Sequence, residues 1–413
     1  MAGQSTFPIP TSGSVYSSQP PVNTSGVLLD GSLVNSSSIT TSIIGTGSGA
    51  VLYAGGVGAT FTINGTSYTV TPGSTVGTAA ISGSTSVTVA SNAFATTAPA
   101  TFTASTMPTN GSSNGWYAVA YGVINSINYY VAVAGSYTPT SYGAYSSDGI
   151  SWNSITMPSS QVWKNITYGN SRFVAISYNA TVGAYSTNGT TWTASTMPIS
   201  TSWFGLAYGN GYFVATAVSG TTARSTDGTS WTASNNLPVT TTYWSQVTYG
   251  NGKFVAVGQT VAAGAYSTDA TTWTATTLST NTEWVPVAYG NGYFVALSIN
   301  SNTGSYSTDG INWSSMTVPS GPGWISVTYG NGYFVAVGQG TSGSYTTNVG
   351  GYSANATTWT ALTLPSNSLW YSITYGNGKF VAVQGSQTTA GAYFAQLPTG
   401  VTSYGIYNGP AAH

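Results

Sequence analysis

Tryptophan recurs along this chain in two interleaved series, and the spacing within each constrains the fold more than any other feature. The first series is Trp116, Trp163, Trp203, Trp244, Trp284, Trp324 and Trp370; the second is Trp152, Trp192, Trp231, Trp273, Trp313 and Trp359. Together they account for all 13 Trp of the 413 residues. A fixed period of about forty residues marks a repeat architecture, in which each unit buries its apolar face only against its neighbours.

One unit reads Trp284-Val-Pro-Val-Ala-Tyr-Gly-Asn-Gly-Tyr-Phe-Val-Ala-Leu297 and later Gly304-Ser-Tyr-Ser-Thr-Asp-Gly-Ile-Asn-Trp313. The Gly-Asn-Gly corner predicts a hairpin between two strands. The Phe-Val-Ala run after it is short, continuous and apolar, as expected of a strand buried on both faces. A third strand ends at Tyr-Ser-Thr-Asp-Gly, and a fourth follows the second Trp. Four short antiparallel strands in forty residues is the unit of a β-propeller blade.

The unit beginning at Trp370 reaches Tyr393 but lacks a second Trp and a fourth strand. Thr101-Phe-Thr-Ala-Ser-Thr-Met-Pro108 matches Thr191-Trp-Thr-Ala-Ser-Thr-Met-Pro198, with Phe102 in the place of Trp. The expected fold is therefore an all-β, seven-bladed β-propeller of four-stranded blades. Its last blade is closed by this N-terminal strand, which leaves no open edge.

The turn before each second Trp carries Asp148, Asn188, Asp227, Asp269, Asp309 or Asn355. It resembles the Asp-box of sialidases and related propellers, and the resemblance spans roughly residues 100–396. Two turns carry Asn, and two carry Ala270 or Ala356 where the box has Gly. A short Asp or Asn side chain can accept hydrogen bonds from backbone N–H groups just ahead of it, so the expected role of all six is structural. Trp152, Trp192, Trp231, Trp273, Trp313, Trp359 and Phe102 are expected to pack between blades. One carboxylate per turn falls short of the six to eight oxygens that calcium takes.

Sialidase chemistry would need an arginine cluster, a Tyr nucleophile with a Glu partner and an Asp acid. This chain has only Arg172 and Arg224, and Glu283 is its single Glu. Arg224 stands where other repeats have Tyr185, Tyr266 or Tyr306, and reads as a variant strand residue. Glycoside hydrolysis needs two carboxylates facing one cleft, and outside the turns only Asp30 and Glu283 remain. No catalytic, cofactor-binding or metal-binding residue is expected, and the sequence singles out no ligand-binding residue.

Charge is scarce throughout. Five basic and six acidic residues give a net charge of −1, with one His and no Cys. An average domain is about a quarter charged. So few cations exclude a phosphate backbone as partner and offer no polybasic patch to a membrane. Lys164, Lys253 and Lys379 stand alone in uncharged blades and read as solvated surface. No apolar run is long enough to insert in a membrane as a helix.

The expected organisation is an extended arm at 1–25, a small β attachment module at 26–95, the propeller at 96–397 and a C-terminal tail at 398–413. Phe61, Ile63, Tyr68 and Val70 alternate across an Asn64-Gly65 corner, a strong hairpin signal within the module. Met1 to Pro10 has neither a basic n-region nor an apolar h-region, so no Sec leader is expected.

Units of this style also resemble propeller proteins of tailed-phage virions, which serve as fibres, appendages or capsid decorations. That resemblance implies a non-enzymatic virion surface protein. It would attach to other virion proteins through its N-terminal region, form a homo-oligomer with a trimer favoured, and display the propeller toward host-surface glycans. Residues 135–144 and 340–351 are the candidate special loops. The alternatives are a bacterial cell-surface adhesin or filament subunit, located extracellularly, and a glycan-processing enzyme.

Overall fold

The computed structural model of the chain describes residues 102–109, 115–135, 138–239, 243–259, 262–340, 346–385 and 390–394, together with the backbone of eight short strands between residues 28 and 89 and at 404–408. It divides into two units, Ala100–Leu397 and Met1–Pro99 with Pro398–His413.

The larger unit is built from seven four-stranded antiparallel sheets. Six of these blades are unbroken stretches of chain, beginning with the strands Trp116–Ile124, Trp163–Gly169, Trp203–Gly209, Trp244–Gly250, Trp284–Gly290 and Pro322–Gly330. Counting unbroken blades thus gives six, where the repeat led to an expectation of seven. The seventh four-stranded sheet is composite: Trp370–Gly376, Lys379–Gln384 and Ala390–Phe394 are completed by Thr103–Thr106. In that last pairing Tyr393 lies opposite Thr103 and Ala392 opposite Ala104. The first strands of successive blades are neighbours, and that of the composite blade adjoins Trp116–Ile124, which closes the ring.

Local chemistry explains the regularity. Asn170, Asn210, Asn251, Asn291, Asn331 and Asn377 hold φ between 41° and 47° at the corners between first and second strands. Asn tolerates this left-handed region, and in five of the six a Gly follows it, again at positive φ. Two such residues in succession make the type I′ turn that matches strand twist. Blade one departs from the pattern with Asn125-Ser126 and a hairpin extended to Ile124 and Ile127.

The core lies between blades. Every Trp of the first series is at most 1 % exposed. Trp163 packs with Val131, Val133 and Met157 of blade one and with Ile166 and Phe173 of its own blade. Its Nε1 donates to Thr140 O of blade one at 3.2 Å, and Trp203 Nε1 reaches back to Ile199 O at 3.1 Å. A wedge of this size costs about 3–5 kcal/mol to truncate to Ala.

The smaller unit contains a five-stranded sheet ordered Leu28–Leu29, Tyr404–Asn408, Ala50–Tyr53, Thr85–Val89, Gly77–Ile81. A three-stranded sheet joins Ser38–Thr40, Thr60–Ile63 and Thr66–Thr69. Phe61 pairs with Tyr68 across the Asn64-Gly65 corner. The tail, which showed no motif in the sequence, supplies Tyr404–Asn408 between two strands of the N-terminal module. The arm at 1–25 lies outside the described residues.

Candidate functional site

The six turns that follow the third strands share one hydrogen-bond pattern. In blade three, Asp227 Oδ1 accepts from Thr229 N and Ser230 N, each at 2.9 Å. Ser225 Oγ donates to the same oxygen at 2.9 Å and accepts from Gly228 N at 2.8 Å. Asn188 does the same work uncharged, accepting from Thr190 N at 3.0 Å and Thr191 N at 2.8 Å. The Ser two residues before each Asp or Asn (Ser146, Ser186, Ser225, Ser267, Ser307, Ser353) recurs in all six turns and donates to the acid or amide in each. That recurrence was visible in the sequence, although the role of the Ser was not.

These bonds set the acidity of the turns. At Asp269 the Thr272 N–H is the largest influence and, against burial, brings the carboxyl down to about 2. At Asp227 and Asp309 burial pushes upward, and the bonds from Ser230 N and Asn312 N with their neighbours outweigh it, leaving both well below the usual range. Asp148 is lowered in the same way, with Lys379 assisting. Among the described residues no three His, Cys, Asp or Glu side chains gather as metal ligands.

The second-series aromatics lie where blades meet. Trp192 is 7 % exposed in the cluster shared by blades one and two, and Trp273 is 7 % exposed between blades three and four. Trp231, Trp313, Trp359 and Trp152 are half-buried against the clusters of their own and the preceding blade. Phe102 packs with Val335 and Leu362 of blade six and Phe380 of the composite blade.

At the same end a second series of contacts runs round the ring. A Tyr of each first strand lies against a Gly of the blade before it: Tyr168 on Gly122, Tyr208 on Gly169, Tyr249 on Gly209, Tyr289 on Gly250, Tyr329 on Gly290, Tyr375 on Gly330 and Tyr121 on Gly376. A methyl group on any of these glycines would come within 2.0–2.2 Å of the ring. Each Tyr also meets an aromatic of its own second strand, as in Tyr208 with Phe213 at 4.6 Å and Tyr121 with Tyr130 at 5.0 Å. With Gly on one side and an aromatic on the other, these tyrosines seal the blades. The turns bind across the same joints: Arg172 Nη1 donates to Asp227 O at 2.7 Å and Asn251 Nδ2 to Thr308 O at 3.1 Å. Arg224 is likewise engaged, through Asp269 O at 3.3 Å.

The opposite end, where the first strands begin, differs in composition from blade to blade. Lys164 is half-buried there, in contrast to the solvated surface expected for it. Its Nζ stands 3.8 Å from the centroid of the Tyr117 ring and 5.6 Å from that of Tyr178. Burial lowers its pKa to about 8. Tyr117 in turn meets Tyr371 at 4.7 Å and Phe204 edge-on at 6.4 Å. Asn165 Nδ2 donates to Phe204 O at 2.9 Å and to Gln246 Oε1 at 3.2 Å, linking blades two and four past Gly205. A Cβ at Gly205 would lie 2.3 Å from Thr216 Oγ1. This convergence is the candidate site. Residues 136–137 and 341–345 of the two candidate loops lie outside the described residues.

A ring of four-stranded antiparallel blades joined through their first strands defines a β-propeller. Solved propellers match it across most of their length. A streptogramin B lyase aligns at TM-score 0.60 and 14% identity, covering 71% of this chain and 97% of that one. Virginiamycin B lyase from Staphylococcus aureus aligns at 0.61 and 13%, covering 71% and 99%. YCF48 from Cyanidioschyzon merolae aligns at 0.54 and 13%, covering 71% and 98%. At such identities the likeness is one of fold. No protein-family model and no curated protein matches the chain.

Proposed function

We propose that the chain is a non-enzymatic virion surface protein, a fibre, appendage or capsid decoration, that attaches through its N-terminal region and presents the propeller to host-surface glycans. The observation that carries this reading is the use made of the acids. Asp148, Asp227, Asp269 and Asp309 each spend a carboxylate oxygen on two backbone N–H groups and a Ser hydroxyl. Each is thereby engaged within its own turn, whereas glycoside hydrolysis needs two carboxylates facing one cleft. What remains is a rigid, nearly uncharged display surface, suited to neutral sugars held by hydrogen bonds and apolar contact. Propellers of this fold differ in role: two of the matching structures are named as lyases, and another is YCF48 bound to a D1 peptide. Fold likeness therefore selects neither catalysis nor capture.

The test combines location and binding. Antibody labelling of particles should decorate virions, and the purified chain should retain host glycans on a panel without releasing sugar. With little Coulomb attraction to screen, retention should change little between low and high salt. Labelling confined to a bacterial envelope would favour the adhesin reading, and released sugar would overturn the non-enzymatic one.

A further inference from the structure

We propose that the Lys164 end of the ring is a binding site for a monoanionic carboxylate carried on a ring. All five cations of the chain are described, and Lys164 alone sits just after a first-series Trp. Arg172, Lys253 and Lys379 open second strands at the turn end, and Arg224 reaches the Asp269 turn. Lys164 Nζ is held over Tyr117 at 3.8 Å and faces Tyr178 at 5.6 Å, while its side chain keeps a partial opening to solvent. Tyr371, Tyr117 and Phe204 extend the aromatic surface beside it, each half-buried with part of its surface accessible. Gln246, whose Oε1 accepts from Asn165 Nδ2, brings a further amide to this end. The composite blade and blades one to four all contribute.

The chemistry of the ligand follows from these groups. A Lys ammonium is a compact point charge with three donors, and partial removal from water strengthens its attraction to an anion. One positive charge matches one carboxylate better than a doubly charged phosphate, for which no second cation is placed at this end. The neighbouring aromatics offer apolar surface to the ring that bears the carboxylate. An acidic sugar and an aromatic acid share this chemistry. The site does not depend on the virion reading, since it concerns one end of the ring wherever the protein resides.

The test is calorimetric titration of the full chain with sodium glucuronate and sodium benzoate, with glucose and inorganic phosphate as comparisons. One or both carboxylates should bind, and which one does distinguishes the acidic sugar from the aromatic acid. Lys164→Met should weaken that binding about tenfold or more, the worth of a charge-assisted hydrogen bond, and Lys164→Arg should restore part of it. In the unmutated chain, the labelled Lys164 side-chain resonances should titrate at higher pH when the carboxylate is bound, a readout independent of how Lys164→Met folds. No binding of either carboxylate, equal binding of glucose, tighter binding of phosphate, or undiminished affinity in a folded Lys164→Met protein would overturn the proposal.

Discussion

Tyr121, in the first strand of blade one, lies against Gly376, at the end of the first strand of the composite blade. A Cβ on Gly376 would stand 2.0 Å from Tyr121 Cγ. Tyr130 of blade one also donates its hydroxyl proton to Gly376 O. Two aromatic side chains from one end of the repeat thus grip the backbone at the other.

Gly376 is not among the residues at positive φ, so the cost of replacing it comes from contact with Tyr121. Gly376→Ala should lose about 3 kcal/mol, the upper range for overpacking. In a Tyr121→Leu background the same substitution should cost less, because the colliding ring is gone. Urea unfolding of the four proteins in a double-mutant cycle reads the coupling directly.

The Ser of the turn is as much a part of it as the Asp. Ser225→Ala removes a donor to Asp227 and the acceptor of the buried Gly228 N–H, and should cost about 1–2 kcal/mol. Asp227→Asn should cost less than Ser225→Ala at pH 7, since Asn188 makes the equivalent bonds in blade two, and what it loses is the charge-dependent part of the stability. Asp227→Ala should cost about as much as Ser225→Ala. Thermal unfolding of the three variants ranks them.

Acid should loosen the Asp turns and spare the Asn turns. Asp269 titrates at about 2 in the folded chain, below the ordinary carboxylate value of about 3.9. A depressed folded pKa gives stability that is fully present above the ordinary value and lost as pH falls through the folded one. Asp148, Asp227 and Asp309 are lowered too. Stability should therefore fall between about pH 4 and pH 2, by an amount that solvent screening of these largely exposed groups reduces. The slope should flatten in an Asp227→Asn, Asp309→Asn double variant, as read from urea midpoints across this range.

Lys164 has the opposite sign. Burial lowers its folded pKa to about 8, against about 10.4 when unfolded, so the unfolded chain holds the proton more tightly. The resulting penalty is largest below pH 8 and is relieved as pH rises toward 10.4. Part of it is offset by the contact with Tyr117, as cation–π pairs contribute about 0.5–2 kcal/mol. Lys164→Met should gain about 1 kcal/mol at pH 7 relative to the parent chain. That advantage should shrink in parallel measurements above pH 10.

What the sequence shows and what it hides divide along the range of the interactions. The Trp period, the Asn-Gly corners and the Asp or Asn turns are local, so Trp163, Asn210 and Asp227 could each be assigned from their immediate neighbours. The composite blade was also legible, because Thr101 to Pro108 repeats a strand that the Trp370 unit lacks. Lys164 was not, since its burial depends on Tyr117, forty-seven residues earlier, and on Tyr178 beyond the next corner. Gly209, Gly250, Gly290, Gly330 and Gly376 read as residues of the hairpin corner; only the fold reveals a Tyr of the next blade on each of them, as on Gly122 and Gly169. Tyr404–Asn408 carries little strand signal of its own and owes its place to partners more than 350 residues away.

Closure of the ring by Thr103–Thr106 is the central structural claim, and the absence of Cys from the chain makes it directly testable. Ala104 and Ala392 are paired across the joint, and directly opposed residues of antiparallel strands lie about 4.5–5.5 Å apart at Cβ, within reach of a disulfide after small adjustment. Ala104→Cys combined with Ala392→Cys should, on mild oxidation, form a bond within one chain. It would be seen as a faster-migrating monomer on non-reducing gels and one linked peptide pair by mass spectrometry. Disulfide-linked dimers in its place, or free thiols throughout a folded protein, would contradict the closed ring.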